Sequence, residues 1–309
     1  MSTSLTSPGL VLASNMAIME AQRGIAFAKA FSTDFSAELQ GVGKTVAVPV
    51  FSGSATTFNE SDNDFETTDG SIIPVNVTLD TLVKVTFSLG MTDLLEVNKS
   101  STSRNCGTAG GRAIGRKLEE LVMGLLTYDK RINKFNSFTY AKIGQALAAA
   151  EKAELDPRTC VVILSPDVYG ALLDANVNNA AIQGDDIATS LGRKYGCKAI
   201  LSSAKVAART AAGTATGGVG FIVPDAAVAI AGRGVEQAVD GLYAEYGTTT
   251  DEASGLTITS FVHGSPGKNK RYMNVAALLG AKLTSGVTTA DDASSNTTKA
   301  PGFIQLISA

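Results

Sequence analysis

Few residues in this chain are of a type and spacing that could do chemistry. Gly43-Lys44-Thr45 ends like a phosphate-binding loop, whose glycines free backbone N–H groups to cradle phosphate, but the upstream glycine position of that motif holds Glu38. Gly264 to Lys268 is a glycine turn with a lysine and is too short for the same role. His263 is the only histidine, and it stands at the end of a strand-like run with no acidic residue beside it. A serine or cysteine nucleophile needs a positioned base with an orienting partner, so a structural role is expected for it. Cys106, Cys160 and Cys197 are odd in number, widely spaced and in no CxxC pair. That fits neither a disulfide framework nor a zinc site, and reduced, structural thiols are expected. Asp62, Asp64 and Glu66 alternate as calcium ligands do, but Thr67 stands where the EF-hand loop needs glycine. No catalytic residue, cofactor or metal is expected, and the chain does not read as an enzyme.

The most one-sided chemistry is electrostatic. From Ser52 to Val83 there are six acidic residues (Glu60, Asp62, Asp64, Glu66, Asp69 and Asp80) and no Lys or Arg. Two readings stay open: a solvated acidic loop, or a loop that docks on a basic surface of another subunit.

The element that must position everything else is a long helix expected over Ser103 to Thr127. Ile114, Leu118, Leu121, Val122 and Leu125 make an apolar stripe, with Arg116, Lys117, Glu119 and Glu120 on the other side and Ser103 as cap. Its 25 residues would span roughly 37 Å, a strut with other elements laid across it. Gly107, Gly110, Gly111 and Gly115 each weaken a helix by about 1 kcal/mol relative to Ala. Either the first turns are irregular, or the glycines let another backbone lie close.

Before the strut, residues 1 to about 40 read as an arm carrying a helix over Ser14 to Phe31. From Gly41 the period switches to two. Val46, Val48 and Val50 lead out, and Val75, Val77, Leu79, Val83, Val85, Phe87 and Leu89 return on odd positions, a two-stranded ribbon reaching about 50 Å. After the strut come a helix over Ser137 to Lys152 and a buried strand Thr159 to Leu164. A short helix opened by Ser165, Pro166 and Asp167 follows, then a polar loop Asp174 to Ser190. Strands at Cys197 to Ser203 and Val219 to Val223 complete an α/β lobe. Val239 to Tyr246, Leu256 to Val262 and Tyr272 to Leu283 read as an antiparallel sheet packed on the strut. Residues Thr284 to Ala300 are Ser/Thr-rich, and neighbouring subunits are expected to hold this tail.

At 309 residues and 44% hydrophobic, the chain is long enough for two domains or one two-lobed subunit. A net charge of −3 lacks the basic excess of a protein that binds nucleic acid directly. No apolar run approaches the ~18 residues of a membrane span, and no basic residue precedes Arg23 as in a secretory signal. A soluble, cytoplasmic protein is expected.

The order of these parts resembles the major capsid proteins of tailed double-stranded-DNA bacteriophages. The resemblance covers nearly the whole chain. It is carried by Val46 to Val50 with Phe58, by Val75 to Leu89, by Arg112 to Leu126, by Cys160 to Leu173 (CVVILSPDVYGALL) and by Leu191 to Ser203 (LGRKYGCKAILSS).

The resemblance implies an α+β, Hong Kong 97-like fold. Its parts would be an N-terminal arm (1–44), an extended β-ribbon loop (45–90), a peripheral domain with the spine helix (91–137), an α/β axial domain (138–232), peripheral return strands (233–285) and a C-terminal tail (286–309). It implies a structural coat protein that assembles with itself, as pentamers and hexamers, into an icosahedral shell around double-stranded DNA. The implied location is the virion, with assembly in the host bacterial cytoplasm. Arg112, Arg116, Lys117, Lys268, Lys270 and Arg271 become the basic candidates to receive the acidic loop. That loop has no lysine, so it lacks the amine for the covalent crosslinks some members form. No long scaffolding segment precedes the arm, which implies a separate scaffolding protein or earlier processing; a portal and a decoration protein are further implied partners. DNA would be contacted non-specifically at most. An encapsulin-type compartment shell is the alternative on the same fold, and a soluble nucleotide- or small-molecule-binding α/β protein the alternative from another class.

Overall fold

A computed structural model describes residues 5–6, 8–31, 45–52, 71–89, 100–126, 132–135, 137–153, 155–176, 187–206, 218–235, 245–252, 254–265, 270–284 and 303–308. The chain enters through β1 (Leu5–Thr6), α1 (Pro8–Glu20) and α2 (Gln22–Ala30). It passes through β2 (Thr45–Ser52), β3 (Ser71–Thr78) and β4 (Thr81–Leu89) to reach the long helix α3 (Ser100–Leu125). The second part holds β5 (Ile132–Phe135), α4 (Ile143–Glu151), β6 (Cys160–Leu164), α5 (Pro166–Asp174), α6 (Ile187–Tyr195), β7 (Ala199–Ser202) and β8 (Gly218–Pro224). The return is β9 (Val228–Arg233), β10 (Glu245–Thr250), β11 (Thr257–Ser265), β12 (Lys270–Leu283) and β13 (Ile304–Ser308).

Helix α3 is the expected strut, 26 residues long and about 39 Å by its rise. Ile114, Leu118 and Val122 of the stripe are buried, with Met123 and Leu126 extending it. Two expectations change. Ser103 lies inside the first turn and is buried, so it is not the cap. Glu119 is buried rather than on the polar side. The glycines leave the helix continuous, because a second backbone lies against them. A Cβ on Gly107 would stand 2.3 Å from the Ala13 carbonyl oxygen, and one on Gly111 2.1 Å from that of Ala17. Both numbers rise together, so α1 runs parallel to α3.

The segment read as an arm is therefore internal over residues 8–31. Leu10, Ala13, Ala17, Ile18, Ile25, Phe27 and Phe31 are buried, and most of them join the cluster that holds Ile114, Leu118 and Val122. Its Ala-rich composition suits close packing against the glycines of α3.

Beneath α3 lies a six-stranded sheet in the order β1-β10-β11-β12-β4, with β9 also paired to β12. The odd positions Val83, Val85 and Phe87 of β4 are half-buried, while Leu82, Lys84, Thr86 and Ser88 are exposed. The ribbon is shorter than expected. Its return breaks after Thr78: β3 pairs antiparallel with β2 over eight residues, about 26 Å, and β4 instead pairs with β12. The period-two pattern runs through the break because Val77 and Leu79 are buried against Ala229 and Ala231, keeping one parity on the apolar side.

The second sheet, β5-β13-β8-β6-β7, forms the α/β lobe. Strand β6 is buried at all five positions, as its unbroken apolar run implied. Ile143, Leu147 and Ala150 of α4, Leu172 of α5 and Leu191 of α6 pack in the cluster that contains Cys160 and Val162. The domain limits shift at three places. Strand β9, placed in the axial lobe from sequence, belongs to the first sheet; β5, placed in the peripheral domain, belongs to the second. Residues 304–308, placed in the tail, form β13 between β5 and β8 of the same chain, while the Ser/Thr-rich stretch expected to be held by neighbouring subunits lies, after Thr284, outside the described residues.

Candidate subunit-interaction surfaces

Helix α3 carries Arg112, Arg116 and Lys117 away from the buried glycine row on which α1 packs. Arg112 Nε donates to Glu20 Oε2 of α1 at 2.9 Å, so this guanidinium already has a carboxylate within the chain. Arg116, one turn on, is exposed and has no ion-pair partner among the described residues. Lys117 donates to Glu120 at 3.1 Å. Lys270 and Arg271 open β12, both exposed, with Arg271 opposite Leu89. Lys268 and the acids Glu60, Asp62, Asp64, Glu66 and Asp69 lie outside the described residues, as do Gly43 and Lys44. The structure thus brings Arg112 and Arg116 to one exposed face, pairs Arg112 and Lys117 internally, and leaves Arg116, Lys270 and Arg271 as the free cations of the set among the described residues.

A polar contact that sequence reasoning missed ties α3 to the second lobe. Ser203, just after β7, donates from Oγ to the buried Glu119 Oε1 at 2.6 Å, and the Lys205 N–H donates to Ser203 Oγ at 3.2 Å. The next residue, Glu120, takes Lys117 and, at 3.8 Å, Lys205. The hydrogen bond from Lys117, then the charges of Lys117 and Lys205, hold the Glu120 carboxyl below the ordinary value. A signal existed: Glu119 continues the four-residue row Gly107, Gly111 and Gly115, the side of the helix turned inward.

His263 has the structural role expected. Its ring stacks on Tyr272, directly opposite on β12, with centroids 5.3 Å apart. Asn274 Nδ2 donates to His263 Nδ1 at 2.8 Å, and Thr86 Oγ1 donates to Asn274 Oδ1 at 2.7 Å. This ladder crosses β4, β12 and β11 without a carboxylate among the described residues. All three cysteines are free and buried. Burial, first of all, pushes the Cys160 and Cys197 thiols up to about 12, which suppresses the thiolate form that does redox or nucleophilic chemistry. No group of three or more His, Cys, Asp or Glu among the described residues could hold a metal ion, and no described helix is long and apolar enough to cross a membrane.

The class these parts define is an α+β chain with one spine helix joining a ribbon-bearing antiparallel sheet to an α/β lobe. Among solved structures it is similar to the capsid of Ralstonia phage GP4, at 12% identity over 87% of this chain and 84% of that one, TM-score 0.49. It is also similar to a chain from Mycobacterium phage Che8 (12% identity, 91% and 90% covered, TM-score 0.49) and to a virus-like particle from Pyrococcus furiosus (11% identity, 95% and 97% covered, TM-score 0.48). No family model and no curated protein matches the chain.

Proposed function

We propose that this chain is the structural major capsid protein of a tailed double-stranded-DNA bacteriophage, assembling with itself into an icosahedral shell. The supporting observation is the order and joining of its parts: a two-stranded ribbon, a spine helix bonded to two lobes, and strands returning beside the ribbon's own continuation β4. The acidic segment Ser52 to Val83 docks on exposed cations of another copy, with Arg116, Lys270 and Arg271, unpaired among the described residues, to receive it. One exposed ion pair is worth only about 0–1 kcal/mol, so the contact works through repetition around the shell. A separate scaffolding protein, a portal and a decoration protein complete the particle, which forms in the host cytoplasm and touches its DNA without sequence preference.

Velocity sedimentation and negative-stain microscopy of the purified chain test this reading. Closed shells, or capsomers and aberrant shells without scaffold, are expected; a sharp monomer at micromolar concentration in every salt condition overturns it. For the docking contact, Glu60→Lys with Asp64→Lys is expected to keep the wild-type circular dichroism while lowering particle yield. A normal yield means the acidic loop is merely solvated.

A further inference from the structure

Strand β4 is the open side of the six-stranded sheet. Along Thr81–Leu89 it pairs only with β12, and its outer edge has no strand partner among the described residues. On such an edge every second residue points its N–H and C=O outward, groups that sheet proteins normally blunt with lysine, proline, bulges or inward charges. This strand has no proline, its register with β12 runs unbroken from Arg271↔Leu89 to Leu279↔Thr81, and its one charged side chain is Lys84. Leu82, on the solvent face, is 53% exposed.

We propose, on the reading that the chain forms a shell, that β4 pairs antiparallel with β4 of a second copy about a two-fold axis through Val85. The sequence of the strand is self-complementary in this register. Thr81 faces Leu89, Leu82 faces Ser88, Val83 faces Phe87, Lys84 faces Thr86 and Val85 faces itself, so all nine positions are paired. Odd positions meet odd ones, and the half-buried Val83, Val85 and Phe87 of both copies stay on the α3 side of one continuous sheet. A slip of one residue would join solvent face to core face. A slip of two in one direction sets Lys84 against Lys84, and like charges directly opposite are unfavourable. A slip of two in the other direction loses end pairs.

The axis of such a pairing is normal to the sheet. Both copies then turn the same face outward, as every two-fold contact of a closed shell requires. The occupant is therefore a second copy of this chain, and the hydrogen bonds supplied are those that the described strands leave unmade.

The test uses full-length chains carrying Lys84→Cys or Thr86→Cys, co-expressed or separate, in particles verified by microscopy. The native thiols are buried and held protonated, so they do not compete. Oxidation with copper phenanthroline is expected to give a non-reducing gel band at twice the 31.8 kDa chain mass from the mixture and little from either variant alone. Intact particles without that band, or equal dimer from Lys84→Cys alone, overturn the pairing while leaving the shell reading standing. If the cysteine chains do not assemble, hydrogen exchange on wild-type protein decides: amides in 81–89 gain protection on assembly if β4 is paired, and unchanged exchange overturns it.

Discussion

Gly111 and Ala17 meet backbone to backbone: a Cβ on Gly111 would lie 2.1 Å from the Ala17 carbonyl oxygen. No rotamer change relieves a clash with main chain, so the separation of α1 and α3 is set by glycine. Gly111→Ala is expected to destabilise the subunit by about 1–3 kcal/mol by overpacking, even though alanine favours a helix by about 1 kcal/mol. Gly124→Ala on the same helix, where an added Cβ meets nothing within 4 Å, is expected to be neutral or stabilising by up to about 1 kcal/mol. Denaturant melts of the two variants against wild type measure both, and equal effects would mean that α1 can move away.

Ser203→Ala removes one donor from the buried Glu119 carboxylate. A loss of about 1–3 kcal/mol is expected, because a buried charge keeps its desolvation cost when a partner is taken away. Lys205→Ala removes a side-chain partner only from the exposed Glu120 and is expected to leave the midpoint near that of wild type. Urea denaturation midpoints compare them.

Gln305 on β13 is fully buried, and neither side-chain polar atom has a hydrogen-bond partner among the described residues. Gln305→Met keeps the length and removes the unmet amide, so a gain of roughly 1–2 kcal/mol is expected. A destabilised variant in the same melts would show that the amide is satisfied in solution.

Thiol ionisation gives the pH dependence. Folded Cys160 and Cys197 hold their protons to about 12, while exposed thiols ionise near 9.0, so above that value the unfolded chain loses protons the folded chain keeps. Their contribution to stability is full below pH 9 and falls as pH rises toward 12. Denaturation midpoints at pH 7 and pH 10 should drop more for wild type than for Cys160→Ala with Cys197→Ala. At neutral pH, an aromatic disulfide reagent should label the native chain far more slowly than the unfolded one.

Local periodicity made α3, β6, β8 and β12 legible, because each carries its apolar residues on one face or is apolar throughout, and the start signals Ser165, Pro166 and Asp167 made α5 legible. Partner choice was not legible. Period two runs through Val75 to Leu89 without a seam, yet β3 and β4 serve different sheets, since alternation reports which side is apolar and not which strand lies next door. The short strand Ile304–Ser308 follows a Ser/Thr-rich stretch and holds too few residues to establish a period, so its place between β5 and β8 was out of reach. Among the surface candidates, the family resemblance pointed to Arg112 and Arg116. It could not find Glu20, the partner of Arg112, because that contact joins residues far apart along the chain.

The position of β13 sets a timetable for synthesis. Strand β8 is complete at Pro224, but the slot between it and β5 stays empty until Ile304–Ser308 emerges, roughly 80 residues later. At about 5–20 residues per second, the nascent lobe waits roughly 4–16 s on the ribosome with two sheet edges bare. A chaperone that shields that gap would act in this interval, and chains stalled before residue 304 would be the ones that aggregate.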